Sequence, residues 1–331
     1  NTGAEITVTA EHPFRTLLDW RQTNDLKVGD RIAVARRLSY TPNASIGEPL
    51  ARMLGYLIGD GSMVNRSTPQ FTQADPDVIT NFKETARQLG LGVTTFQKPG
   101  NKAVSISLHK PDSSSDRVPV TVKDGDGTTV YGMAAGQDRS VIQVVLRRFK
   151  LEEKAAQQNF VPEIIFRCPL PEIKAFIEGL YATDGSVEQN SIVYYSTSKA
   201  LVDGMRHLLL RFGVVGTVRQ KIGVYKGQRH LSWQLVVSEF DGLETMARQF
   251  DIPGKRGPKF RALVETRRGK KHNSNWDTIP GDIRPLFRSE LDRCGFTWVR
   301  NLHFHASSGR QSIGRWVLWA IVFNPQMPTG A

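Results

Sequence analysis

The chain has 331 residues, enough for about two domains, and its 39% hydrophobic and 23% charged residues exclude wholesale disorder. Lys and Arg total 44 against 32 Asp and Glu, a net charge of +12 that points toward a polyanionic partner. The run from Ile313 to Phe323 contains Arg315 and is too short to span a bilayer, and the first residues lack the regions of a signal peptide. Cys168 and Cys294 are far apart and fit a reducing compartment, so a cytoplasmic protein without membrane association is expected.

Residues 1–46 read as short strands. Glu5-Ile6-Thr7-Val8-Thr9 alternates polar and apolar side chains, His12-Pro13 breaks the run, and a turn at Val28-Gly29-Asp30 leads into Arg31-Ile32-Ala33-Val34. Ser45 and Glu48 stand at capping-box spacing before a helix with Pro49 in its first turn, ending at Gly59-Asp60-Gly61-Ser62. A second helix is expected over Pro171 to Ala182, ending at Thr183-Asp184-Gly185-Ser186.

These segments are copies. Aligning Asp60 with Asp184 matches Gly55 to Gly179, Gly61 to Gly185 and Ser62 to Ser186. Each copy continues with a polar strand (from Gln70; from Val193), an amphipathic helix (Val78 to Leu89; Leu201 to Phe212), a hairpin and a last helix (Val141 to Phe149; Leu243 to Phe250). The first copy is longer, and its extra Pro111–Gln137 stretch reads as a surface loop. From Pro253 to His272 the chain is strongly basic and reads as a phosphate-binding surface.

Small residues one turn apart, Gly55 with Gly59 and Gly179 with Thr183, let two helices touch backbone to backbone. Their C-terminal ends then bring Asp60 and Asp184 together, two repelling carboxylates at the negative ends of helix dipoles. Such a pair favours divalent cations, with the carbonyls of Gly59 and Thr183 as further ligands. Beside a basic surface, that arrangement suits phosphodiester hydrolysis. In Thr217–Ile222 one strand face carries Arg219 and Lys221 while Val218 and Ile222 are expected to be buried; in His230–Leu235 Gln234 lies on the polar face and Leu231, Trp233 and Leu235 on the buried one. These polar faces, with Gln70, Gln73, Lys98 and Lys102 in the first copy and Lys255 and Arg256 beyond the second, are expected to contact DNA.

Met53-Leu54-Gly55-Tyr56-Leu57-Ile58-Gly59-Asp60-Gly61 and Ile177-Glu178-Gly179-Leu180-Tyr181-Ala182-Thr183-Asp184-Gly185 resemble the two motifs of LAGLIDADG (dodecapeptide, DOD-type) homing endonucleases. Thr9-Ala10-Glu11-His12-Pro13 resembles the Thr-x-x-His block of an intein splicing (Hint) domain, and Trp20 with Leu26-Lys27-Val28-Gly29-Asp30-Arg31-Ile32 the strand that closes it. Val161-Pro162 and Asn275-Trp276-Asp277-Thr278-Ile279-Pro280 are similar to segments of bacterial inteins, and the whole run is most similar to inteins inserted in replicative DNA helicases.

The resemblance implies an α+β fold: a pseudo-twofold repeat of αββαββα units with saddle-shaped antiparallel sheets, preceded by a partial all-β Hint segment. The implied parts are 1–46 (Hint), 47–165 and 166–300 (repeats) and 301–331 (divergent tail). It implies catalytic Asp60 and Asp184 holding Mg2+ (or Mn2+), double-stranded DNA as substrate, a monomer that is an internal pseudo-dimer, and host exteins as splicing partners. A basic residue usual in the family falls at Asn159 in the first half, with Lys154 the nearest lysine; Lys259 or Lys255 is its second-half counterpart. His12, assisted by Thr9, matches the histidine that activates the N-terminal splice junction. Neither junction is present, since the sequence runs from Asn1 to Ala331, so this segment alone is expected not to splice. The alternative is a DNA-binding protein of this fold that does not cleave.

Overall fold

The computed structural model describes residues 2–16, 19–63, 68–111, 118–131, 140–225, 227–270, 278–280, 289 and 312–314. Lys271, His272, residues 275–277, Cys294 and the rest of the 301–331 tail, including most of the apolar run after Ile313, lie outside them. The chain divides into two units: one holds 5–35 with the residues after 268, the other 2–4 with 36–268.

In the first unit, β1 (Pro13–Arg15) and β2 (Trp20–Gln22) form an antiparallel hairpin with Phe14 opposite Arg21. Pro13 opens a strand, a position where its missing N–H costs nothing. Thr16 closes the turn, its N–H and hydroxyl both donating to the Asp19 carbonyl at 2.8 and 2.9 Å. The expected strands at Glu5–Thr9 and Arg31–Val34 are not formed. Alternation marks an extended segment, but a strand needs a ladder of hydrogen bonds to a neighbour; the Ala33 N–H donates to the Arg15 carbonyl at 2.7 Å without a ladder forming there. Thr278–Pro280 pairs antiparallel with Ser312–Gly314 in the same unit.

The second unit begins with β3 (Ala44–Ser45) and α1 (Glu48–Asp60). Ser45 does not cap α1; that place falls to Gly47, whose φ of +80° suits glycine. Ser45 Oγ and the Ile46 N–H instead donate to the carboxylate of Glu172, which is 5% exposed and needs those donors. Then follow β4 (Gly61–Ser62), β5 (Gln70–Gln73), α2 (Pro76–Gln88), β6 (Gly92–Gln97) and β7 (Val104–His109). The four strands form an antiparallel sheet ordered β4-β5-β7-β6.

Within the stretch expected to be a loop lie β8 (Val120–Asp124) and β9 (Gly127–Tyr131), which join β3 in a three-stranded sheet. Val120 and Val122 are buried, and the two-residue turn at Gly125-Asp126 closes the hairpin. The Val-Thr-Val alternation before Asp-Gly-Asp-Gly is a hairpin signal that the Asp- and Ser-rich flanks obscured. α3 (Val141–Arg148) ends the first half.

The second half repeats the order: α4 (Leu170–Asp184), β10 (Gly185–Val187), β11 (Ile192–Ser196), α5 (Lys199–Arg211), β12 (Thr217–Tyr225), β13 (Gln228–Val237) and α6 (Phe240–Gln249). Its sheet is ordered β10-β11-β13-β12, element for element as in the first half. The basic segment after it is a helix, α7 (Arg256–Arg267), seated by Phe260 and Val264.

α1 and α4 pack directly on each other at the centre of one hydrophobic core. A Cβ on Gly55 would lie 2.3 Å from the Phe176 carbonyl oxygen, and one on Gly179 2.7 Å from that of Arg52, so only glycine permits this approach. Glu178, 1% exposed, ties the pair: Arg52 Nη2 lies 2.8 Å from its carboxylate, and the Asp251 N–H donates to it at 2.6 Å.

The β12–β13 hairpin corrects one burial expectation. Val218 and Leu235 are buried, but Ile222 is 58% and Leu231 46% exposed, because the hairpin runs on past the helices that cover its base.

Candidate active site and DNA-facing surface

Asp60 and Asp184 are the last residues of α1 and α4, each half-buried where the helix ends. The α1–α4 contact brings them close enough that the charge of Asp60 raises the pKa of Asp184. Burial and then this repulsion push Asp184 up to about 7, with Arg256 opposing. Burial also raises Asp60, against Arg256 and the Gln73 amide, whose Nε2 donates to Asp60 Oδ2 at 3.0 Å. That amide favours the charge on Asp60, so the proton of the pair settles on Asp184.

Arg256 is the cation that bears on both carboxylates. It was expected on DNA. Its guanidinium instead donates to the carbonyls of Ala182, Thr183 and Gly185 at 2.6 to 2.7 Å, capping the end of α4. This also weakens the expectation of Thr183 as a ligand, because a cation would share its carbonyl with a guanidinium. The Thr183 hydroxyl donates to the Leu180 carbonyl at 2.7 Å, and Gly59 packs against that side chain.

The first half has an equivalent cap. Asn159 Nδ2 donates to the Ile58 carbonyl at 2.9 Å, and Ile58 stands two residues before Asp60 as Ala182 stands two before Asp184. One helix end is thus closed by a neutral amide and the other by a cation. Lys154 and Lys259 are exposed, and neither is among the groups that perturb the aspartates.

The two carboxylates are hard oxygen donors, and Arg256 spends its N–H groups on carbonyls rather than on either of them. The pair therefore fits a divalent cation that keeps much of its hydration. Among the described residues no group of three or more His, Cys, Asp or Glu forms a denser site.

The strand register separates the expected DNA contacts. On β12 and β13, Arg219 lies opposite Gln234 and Lys221 opposite Ser232, all on the face away from buried Val218 and Leu235. Tyr195 joins them opposite Gln234, with Lys221 Nζ 5.0 Å from its ring and Glu188 accepting its hydroxyl. On the first sheet Gln70 is exposed, opposite Ser107. Gln73 shares the other face with Phe71 and is turned to Asp60, so it orients a carboxylate and is not placed to read a base. Lys98 and Lys102 are exposed in the turn between β6 and β7. The Lys255 side chain is exposed, while its N–H and that of Asp77 both bond to the Asp75 carboxylate at the start of α2.

Much of the remaining basic segment serves the fold: Arg261 pairs with Asp251 at 3.1 Å, Arg267 donates to the Asn190 carbonyl at 2.6 Å, and Arg268 pairs with Glu265 and Glu244. In the first unit His12 is exposed, its N–H donating to the Thr9 carbonyl at 3.2 Å and its ring packing edge-on to Phe14. The caps Arg256 and Asn159 and the orienting role of Gln73 were not foreseen; each depends on contacts between residues far apart in sequence.

Residues 171–250 match the family model described as a LAGLIDADG-like domain. The chain is 26% identical over 303 residues to the replication factor C small subunit of Methanocaldococcus jannaschii, covering 88% of this chain and 14% of that protein. It is 25% identical to the replicative DNA helicase DnaB of Nostoc sp. over 85% of this chain and 30% of that protein. It is 27% identical to the RecA protein of Mycobacterium tuberculosis over 89% of this chain and 36% of that protein. The chain thus spans only about a seventh to a third of these curated relatives. Among solved structures, the homing endonuclease I-DmoI in complex with DNA and Mn is 14% identical with a TM-score of 0.39, covering 61% of this chain and 96% of that chain. Full-length WhiA from Thermatoga maritima is 11% identical with a TM-score of 0.42, covering 75% of this chain and 68% of that one. Within the second half, residues 171–250 are thus similar to a LAGLIDADG-like domain.

Proposed function

We propose that this chain is the endonuclease-bearing part of an intein, a site-specific double-strand DNA endonuclease built as an internal pseudo-dimer. The carrying observation is the convergence of Asp60 and Asp184 at equivalent helix ends, held there by the Gly55–Gly179 contact. Each half would serve one strand.

Asp60 and Asp184 would hold Mg2+ or Mn2+. When bound, the metal acidifies water and offsets charge on the phosphate under attack. Gln73 orients Asp60, and Arg256 fixes the helix end that carries Asp184. The outer faces of the two sheets, with Lys98, Lys102 and Lys221, would bind the duplex. In the reaction water oxygen bonds to phosphorus, the bond to the 3′-oxygen breaks, and that oxygen leaves with a proton.

The relatives support the insertion reading. A replication factor C small subunit, a replicative DNA helicase and a RecA protein carry different names, yet each matches 85 to 89% of this chain over a minor part of its own length. What they share is a segment. Residues 1–46, with Thr9 and His12, would be part of the splicing domain of that segment.

The test is magnesium-dependent cleavage of a plasmid carrying the host gene without the insert. The parent should linearise it. Asp60→Asn and Asp184→Asn should bind it without cutting. Variants that cut as the parent does would overturn the metal assignment; a parent that binds and never cuts would establish the non-cleaving alternative.

A further inference from the structure

The strand ladders allow the two sheets to be compared residue by residue. Phe71 pairs with Ile106 as Tyr194 pairs with Leu235. One step along, Thr72 faces Ser105, which faces Phe96; in the second sheet Tyr195 faces Gln234, which faces Arg219. Phe96 and Arg219 therefore occupy equivalent places on the two outer faces. Both are exposed, Phe96 at 61%.

Phe96 is a large apolar ring on a polar face. Its cross-strand partner is a serine, and Thr72, Thr94 and Ser107 share that face. Among the described residues no packing need accounts for a phenylalanine there. In the major groove, phenylalanine and threonine methyls make apolar contact with the thymine methyl, whereas arginine bonds guanine O6 and N7.

We propose that Phe96 and Arg219 are paired specificity-determining residues, selecting an A·T pair in one half-site and a G·C pair at the same distance from the centre in the other. This rests on the reading of both sheets as DNA-facing. The first half-site is accordingly read through methyl groups and hydroxyls, with Lys98 and Lys102 supplying charge beyond the ring. The second is read through cations set on the sheet itself, Arg219 and Lys221.

The test is selection of bound duplexes from a randomised library by the full chain, with a chelator present so that bound DNA stays intact. The expected result is an enriched site with thymine on one side and guanine at the mirrored position. Phe96→Arg should change the preference from thymine to guanine at that single position, by about ten-fold in the base ratio. Arg219→Phe should do the reverse on the other side only. Phe96 is outside the core, so its variant should melt with the parent, which a thermal scan checks. Enrichment with equal composition at the mirrored positions would overturn the inference and leave DNA binding standing. Variants that change overall affinity without changing base preference would do the same. Failure to enrich any duplex would overturn the DNA-facing reading itself.

Discussion

Replacing Asp184 by asparagine should stabilise the metal-free protein. Asp184 rises from 3.8 to about 7, chiefly through burial and then through Asp60. A rise of about three units corresponds to ~4 kcal/mol set against the charged form. The carboxyl keeps some contact with solvent, so about half of that, ~2 kcal/mol, is the working figure. The sign follows from proton binding. The native state holds a proton that the unfolded chain has released above about pH 4, so stability falls as pH rises from there to about 7 and then levels. Asparagine has no charge to bury. With EDTA, the difference in stability between variant and parent should grow from pH 4 to pH 7 and then stay constant. At pH 7.5 the variant should melt about 4–8 °C higher. Added Mg2+ should raise the melting point of the parent more than that of the variant, since ligand binding to the native state adds to stability. Parallel pH profiles for the two proteins, or equal responses to Mg2+, would refute the reasoning.

Gly55→Ala puts a methyl 2.3 Å from the Phe176 carbonyl oxygen. Backbone, not a movable side chain, stands in the way, so urea unfolding should show a loss of about 3 kcal/mol or more, and cleavage should go with it. Arg52→Ala strips the closest cation from buried Glu178, leaving Lys174 at 3.7 Å. The expected cost is about 3 kcal/mol, and combining it with Glu178→Gln should cost less than the sum of the two single changes in a double-mutant cycle. Lys98→Ala and Lys102→Ala should each flatten the salt dependence of DNA affinity by about one unit of log K against log salt, while the melting point stays that of the parent.

The order of helices and strands in each half was legible because it is written in local signals. Glycine spacing, the Asp-Gly-Ser stop and the 3.6-residue periodicity recur, and the helices fall within a few residues of where periodicity puts them. That Asp60 and Asp184 end α1 and α4 was legible for the same reason. Most of what failed depends on partners elsewhere in the chain. Ser45 reads as a cap until Glu172 claims its hydroxyl. Arg256 reads as one more cation in a basic run until the chain folds back and its guanidinium meets the end of α4. Gln73 and Gln70 look alike in sequence, and only strand alternation separates the one that faces Asp60 from the one on the outer face. The β8–β9 hairpin was missed because its turn signal lies among other Asp and Gly residues.

The central helix pair also governs how this chain must be made. α1 is complete at residue 60 and the end of α4 emerges only at 184. At ribosomal speed that interval is roughly 6–25 s. For that time the glycine-notched side of α1 waits without the helix it fits, and the α4-facing part of the core is open. The segment that reaches back to α2 through Asp75 and Lys255 arrives later still. Nascent chains stalled between the two helices should therefore be protease-sensitive over the first half, and a gene cut between the halves would yield two pieces that must find each other before either is finished.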